Sequence, residues 1–188
     1  LFTVAEIALS TLGLAATPGE ELDVLVGGLG LGYTAVAALA DPRVRTLTVI
    51  DALPAVIDWH NRRLLPVSDE LVGDGRTRLV LGDFFALARS APTQPTALYN
   101  AILLDVDHSP RHQLDPSHAD LYDAAGLRSL ARHLTADGVF ALWSDDPPDD
   151  DFMVELGAVF ATSAAHIVDF ANPLTGGISS NTVYVAST

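Results

Sequence analysis

Cysteine is absent from the 188 residues, so no disulfide and no thiolate metal site can form. That lack fits a cytoplasmic protein. Lysine is absent as well: all 10 basic residues are Arg, against 24 Asp and Glu, for a net charge of −14. A chain this acidic has no basic face for a phosphate backbone, which excludes nucleic acid as the expected partner. It suits a cationic substrate, although acidic surface also serves solubility. No apolar run is long enough to span a bilayer and no signal peptide is visible, so no membrane partner is expected. Methionine occurs once, at Met153, and the sequence starts at Leu1, which reads as a piece of a longer protein. What is abundant is apolar surface, at 49% of residues, enough for one domain with a sizeable core.

The chain is organised around Val24–Leu39, VLVGGLGLGYTAVAAL. A short apolar strand runs into Gly27, Gly28, Gly30 and Gly32, then Thr34 and an alanine-rich helix. Strand, glycine turn and helix open a nucleotide-binding α/β unit. Glycines permit the tight turn and remove the Cβ atoms that would hold a ligand off the backbone. The spacing Gly28-x-Gly30-x-Gly32 differs from the G-x-G-x-x-G of dinucleotide enzymes, and alone it also fits an ordinary strand-to-helix turn.

Periodicity and turn residues predict helices at Phe2–Leu12 (stopping at Gly13), Leu31–Ala40, Pro54–Leu64, Phe84–Arg89, Ser117–Tyr122, Ala124–Leu134 and Phe152–Thr162. The helical stretch from Ser117 is broken near Asp123 or Gly126. Strands are predicted at Leu22–Val26, Thr46–Ile50, Arg78–Leu81, Ala101–Leu104, Val139–Trp143, His166–Phe170 and Thr182–Ala186. Loops fall at Gly73–Gly75, Pro92–Pro95, His108–Pro116 and Ser144–Asp151, and a glycine-rich turn at Pro173–Gly177. The alternation implies a single α/β domain: a doubly wound, mainly parallel, seven-stranded Rossmann-like sheet with an antiparallel C-terminal strand and helices on both faces.

Ligands of such sheets sit at the carboxyl ends of the strands. Strand one ends in the glycines, and the next three end in Asp51, Asp83 and Asp105. Asp51 can accept two hydrogen bonds from a ribose diol, and Asp83 one from an adenine amine. Each also has a structural reading: Asp51 and Asp83 can cap the helices that follow, and Asp105 can simply end a strand. Their joint placement after successive strands favours a nucleoside site.

The stretches VLVGGLGLGYT, TLTVID, RLVLGDFFAL and YNAILLD resemble spermidine synthases, the polyamine aminopropyltransferases, within the class I S-adenosylmethionine-dependent methyltransferase fold. The resemblance runs from about Phe2 to the end and is best from Val24 to Asp105. It implies a donor, S-adenosylmethionine or its decarboxylated form, held by Gly28, Leu29, Gly30, Gly32, Asp51, Ala52, Asp83 and Phe84. It implies Asp105 as the catalytic aspartate that orients and deprotonates an attacking amine. It also implies a small-molecule amine acceptor of polyamine type, a homodimer and no metal. Asp107, His108, Trp143 and Asp145 then become candidate substrate contacts, Trp143 and Asp145 as receivers of a cation.

Departures from the family pattern are specific. Leu31 stands where the synthases carry an acidic contact to the donor's amino end. His108 replaces a second Asp of the Asp105 motif, unless Asp107 substitutes for it. Val4 and Ala5 replace a Tyr-His pair, and Asn172–Gly176 lacks the family's late Tyr. The 188 residues hold no counterpart of the family's amino-terminal β-domain. An S-adenosylmethionine-dependent methyltransferase and a non-catalytic nucleoside-binding module are therefore the alternative expectations. His108, His112 and His118 share one loop with Asp107 and Asp115. Their spacing matches no regular helical ligand pair, and they read better as lining of an acceptor pocket than as a metal site.

Overall fold

The computed structural model describes residues 3–92, 98–174 and 176–188. Phe2, most of the loop predicted at Pro92–Pro95, and Thr175 of the glycine-rich turn lie outside the described residues.

Among the described residues seven strands form one sheet in the order β3-β2-β1-β4-β5-β7-β6. They are β1 (Leu22–Gly27), β2 (Val44–Asp51), β3 (Thr77–Leu81), β4 (Tyr99–Leu104), β5 (Leu134–Ser144), β6 (Thr162–Asn172) and β7 (Gly177–Ser187). Strands β1 to β5 pair in parallel, and β7 runs antiparallel to both of its neighbours. This is the doubly wound sheet expected, with its one reversed strand at the C-terminal end of the chain.

Continuous apolar runs make the central strands because both faces are covered. Alternate residues divide cleanly. Val24, Val26, Ala101, Leu103, Val139 and Ala141 pack on one face with α1 (Val4–Ala16), α2 (Tyr33–Leu39), α3 (Pro54–Asn61) and α4 (Ser68–Gly73). Leu25, Ile102, Leu104, Phe140 and Leu142 pack on the other with α5 (Phe84–Arg89), α6 (Ala124–Ala131) and α7 (Asp150–Gly157). Among the described residues no helix is long and apolar enough to cross a membrane.

Aspartate caps explain where several helices start. Asp83, Asp123 and Asp149 each accept hydrogen bonds from N–H groups in the first turns of α5, α6 and α7. The break expected near Asp123 or Gly126 thus falls at Asp123, between a 3-10 turn at Pro116–Tyr122 and α6.

Gly13 does not stop α1, which continues to Ala16. It is buried, and a Cβ there would stand 2.7 Å from Leu103 and 3.1 Å from Ala141. The residue is glycine so that the helix can lie close against β4 and β5. Arg43 supplies the actual end of α1: its guanidinium donates to the Leu14 and Thr17 carbonyl oxygens at 2.7 and 2.9 Å, held by Asp41.

Candidate nucleoside site at the carboxyl edge

The strand order reverses between β1 and β4, and a cavity of about 510 Å³ opens at that point. Gly28, Gly30, Asp51, Ala52, Asp83, Phe84 and Asp105 line it, so three aspartates predicted from strand ends share one pocket. Ile50, Leu53, Phe85, Val106, Leu114, Asp115, Ser117 and His118 complete the wall.

The glycine loop is shaped for close approach. Gly28 has φ +91° and donates to the Ile50 carbonyl at 2.9 Å, while the Asp105 N–H donates to the Gly27 carbonyl at 2.8 Å. The β1–β4 contact is so tight that a Cβ on Gly28 would run into the Asp105 carbonyl oxygen. At Gly30 (φ +45°) a Cβ would meet nothing within 4 Å, so the backbone there faces open space. A cradle of bare backbone at this crossover fits the polar part of a nucleoside.

Two side chains fix that loop. Asp51 Oδ2 accepts from the Leu29 N–H at 2.9 Å, and its Oδ1 accepts from the Leu53 N–H at 2.7 Å. Asp51 therefore joins the loop to the entry of α3 while lining the cavity, and each oxygen keeps a further lone pair for a ligand hydroxyl. Buried His60 bridges Gly30 and α4, with Nε2 3.1 Å from the Gly30 carbonyl oxygen and Nδ1 3.1 Å from Ser68 Oγ. Leu29 is buried and, like Gly32, does not line the cavity, while Gly32 serves as the left-handed N-cap of α2 against His60.

Asp83 does two jobs. Oδ1 caps α5 through the Phe85 and Ala86 N–H groups at 2.8 and 3.1 Å. Oδ2 accepts no hydrogen bond among the described residues and belongs to the cavity wall.

Asp105 is half-buried at the end of β4. Thr34 Oγ1 donates to its Oδ2 at 2.6 Å, and Oδ1 has no partner among the described residues. Burial pushes the carboxyl above the usual carboxylate range, and the Thr34 hydroxyl pulls part of the way back. Thr34 is in turn located by α1, because Ser10 Oγ donates to its carbonyl oxygen at 2.6 Å. Glu6 lies one turn before Ser10 on the same face of α1. Burial raises Glu6 too, its backbone N–H opposes that, and the Asp105 charge adds to the rise. The sequence offered no signal for Glu6, Ser10 or His60 as site-shaping residues. Thr34 was visible only as the residue behind the glycines.

The remaining candidates lie elsewhere. Asp107 is not among the residues that line the cavity. It is enclosed, and its oxygens are taken by the Leu114 N–H at 2.8 Å, His118 Nδ1 at 2.8 Å and Tyr122 Oη at 2.7 Å. Burial and then the Asp107 charge push the Tyr122 hydroxyl well above its usual value. His108 and Asp145 form an exposed pair, Nδ1 to Oδ2 at 3.3 Å, outside the cavity wall. Trp143 packs on the α1 face of the sheet with its indole Nε1 buried and unpartnered among the described residues. The three loop histidines each go to a different carboxylate, His108 to Asp145, His112 to Asp146 and His118 to Asp107. No group of three His, Cys, Asp or Glu among the described residues could hold a metal ion.

No family model matches the chain. A polyamine aminopropyltransferase from Streptomyces coelicolor is 30% identical over 132 residues, covering 68% of this chain and 22% of that protein. Putrescine N-methyltransferase 2 of Nicotiana tabacum is 27% identical over 128 residues, covering 68% of this chain and 33% of that protein. The chain thus spans a third or less of the length of these relatives. The crystal structure of spermidine synthase from Thermotoga maritima superposes with a TM-score of 0.72 at 18% identity, covering 98% of this chain and 58% of that one. Matching segments and matching topology together make this chain spermidine synthase-like, within the S-adenosylmethionine-binding fold class.

Proposed function

We propose that this chain transfers an alkyl group from an adenosyl sulfonium to an amine, with aminopropyl transfer to a polyamine-type acceptor as the first reading. The observation that carries it is Asp105, a half-buried carboxylate in the same cavity as the glycine loop, Asp51 and Asp83, with one oxygen held and the other available. In this reading Asp51 takes the ribose hydroxyls, while Asp83 Oδ2 and the backbone at Phe84 take the adenine.

A sulfonium carries its own leaving group, so the protein's work is alignment. The amine nitrogen attacks the carbon in line with the C–S bond, the C–N bond forms, and a neutral thioether departs. Asp105 Oδ1 orients the nitrogen and accepts its proton. Glu6 adds a second negative charge on that side, which favours a cationic acceptor.

A methyl group is the second reading. Leu31, exposed beside the glycine loop, puts no acidic side chain where the synthases have one, and intact S-adenosylmethionine carries a carboxylate of its own. The similarity to a putrescine N-methyltransferase supports it as well.

Incubation with both donors and a panel of polyamines, read by mass spectrometry, separates the two. Aminopropyl adducts are expected on the first reading and methyl adducts on the second. Absence of adducts, together with no calorimetric heat from methylthioadenosine, sinks both.

A pH profile tests the placement of Asp105. Its folded-state pKa is raised, so transfer that needs the carboxylate falls as pH drops through a value above the ordinary one. Thr34→Val removes the bond that lowers this pKa, and the acid limb is expected to move to higher pH. An acid limb that stays in place in Thr34→Val would show that Asp105 is not the titrating group.

A further inference from the structure

We infer that His118 reads the purine ring of the donor: its Nε2 accepts a hydrogen bond from a 6-amino group, so the cavity takes adenine nucleosides and rejects their 6-oxo counterparts. The inference rests on the adenosyl donor proposed above.

The hydrogen-bond network fixes the ring's tautomer. Asp107 is enclosed and receives the Leu114 N–H, the Tyr122 hydroxyl and His118 Nδ1. A carboxylate only accepts, so Nδ1 carries the hydrogen. A neutral imidazole has one N–H, which leaves Nε2 with a lone pair. That nitrogen has no protein partner among the described residues, and the enclosed unpartnered side-chain atoms are Thr77 Oγ1 and Trp143 Nε1 alone. His118 lines the cavity, and in this proposal Nε2, on the side of the ring away from Asp107, is the nitrogen that faces it.

Phe85 locks the ring and relates it to Asp83. The two rings stack with centroids 3.6 Å apart and planes 8° from parallel. The N–H of the same Phe85 holds Asp83 Oδ1 at 2.8 Å. Both Asp83 and His118 line the cavity and both are held by Phe85, so in this proposal Asp83 Oδ2 and His118 Nε2 are the two acceptors offered to the nucleobase. A 6-amino group has two hydrogens to give to them. A 6-oxo group would bring lone pairs toward both acceptors, and the single N1–H beside it can satisfy at most one of them, a situation in which hydrogen-bonding sites discriminate strongly.

The test is calorimetric titration of the full chain with methylthioadenosine and with methylthioinosine, its 6-oxo counterpart. The unsubstituted protein is expected to favour the adenosine form by about tenfold or more. His118→Phe keeps a ring on Phe85 but has no nitrogen, and is expected to lose about tenfold for the adenosine form together with most of the preference. No heat from either nucleoside with the unsubstituted protein overturns the adenosyl-donor reading itself. Binding of methylthioadenosine that is indifferent to the 6-position, or unchanged in His118→Phe, overturns the role of His118 alone.

Discussion

Asp105→Asn is expected to lower amine transfer by about 10²–10⁴-fold, the range a positioned base contributes, while methylthioadenosine affinity stays nearly unchanged. The amide keeps the shape of the side chain and can still accept from Thr34 Oγ1, so the floor of the cavity is preserved. What it loses is the capacity to take a proton. The same substitution is expected to raise thermal stability at neutral pH. Burial holds the folded-state pKa of Asp105 above its unfolded value, so the charged form is disfavoured by folding. That penalty is absent below the unfolded pKa, grows as pH rises to the folded pKa and is complete above it. A neutral residue removes it. Single-turnover transfer and thermal melts at pH 7 check both halves. Transfer at the unsubstituted rate in Asp105→Asn would remove Asp105 from the chemistry.

Gly28→Ala is expected to cost about 3–5 kcal/mol of folding stability, the sum of a strained left-handed residue and an overpacked contact. The new Cβ collides with the Asp105 carbonyl and stands 3.0 Å from Val106 Cγ2, at a position whose φ is +91°. Neither neighbour can retreat, because the Asp105 N–H is bonded to the Gly27 carbonyl and the Gly28 N–H to Ile50. Gly30→Ala is the control. Its φ of +45° is left-handed too, but nothing lies within 4 Å of the added atom. It is expected to cost only about 1 kcal/mol. Urea unfolding of the two variants measures the difference. Equal costs would mean that backbone conformation alone, and not the β1–β4 approach, makes Gly28 a glycine.

The strand-end aspartates were legible because their position needs only the strand boundaries, and apolar runs mark those well. Asp51, Asp83 and Asp105 fall into one pocket for that reason. The surroundings of Asp107 were not legible because they are made by distant residues: Leu114, His118 and Tyr122 fold back over it in an irregular loop with no period to read. Gly13 looked like a helix stop because sequence cannot tell a glycine that ends a helix from one that lets a sheet come near. Helix α4 escaped notice because its six residues, SDELVG, contain one buried apolar side chain, Leu71. Strand β5 starts at Leu134 rather than Val139 because Ala136-Asp137-Gly138 resembles a turn and yet stays in the strand. The capping role of Asp83 was readable, since an Asp just before an apolar helical stretch has a local cause.

The single reversed strand divides the sheet into parts of unequal dependence. Among the described residues β6 pairs with the sheet only through β7, so its opening does not require the parallel strands to separate. Every residue that lines the cavity lies instead at the ends of β1 to β4, on α5 or in the segment from Leu114 to His118. Occupancy of the cavity is therefore expected to stabilise the parallel half by mass action and to leave the local opening of β6 as it was. Amide exchange is expected to slow most in the parallel strands when a nucleoside is added, and least in β6.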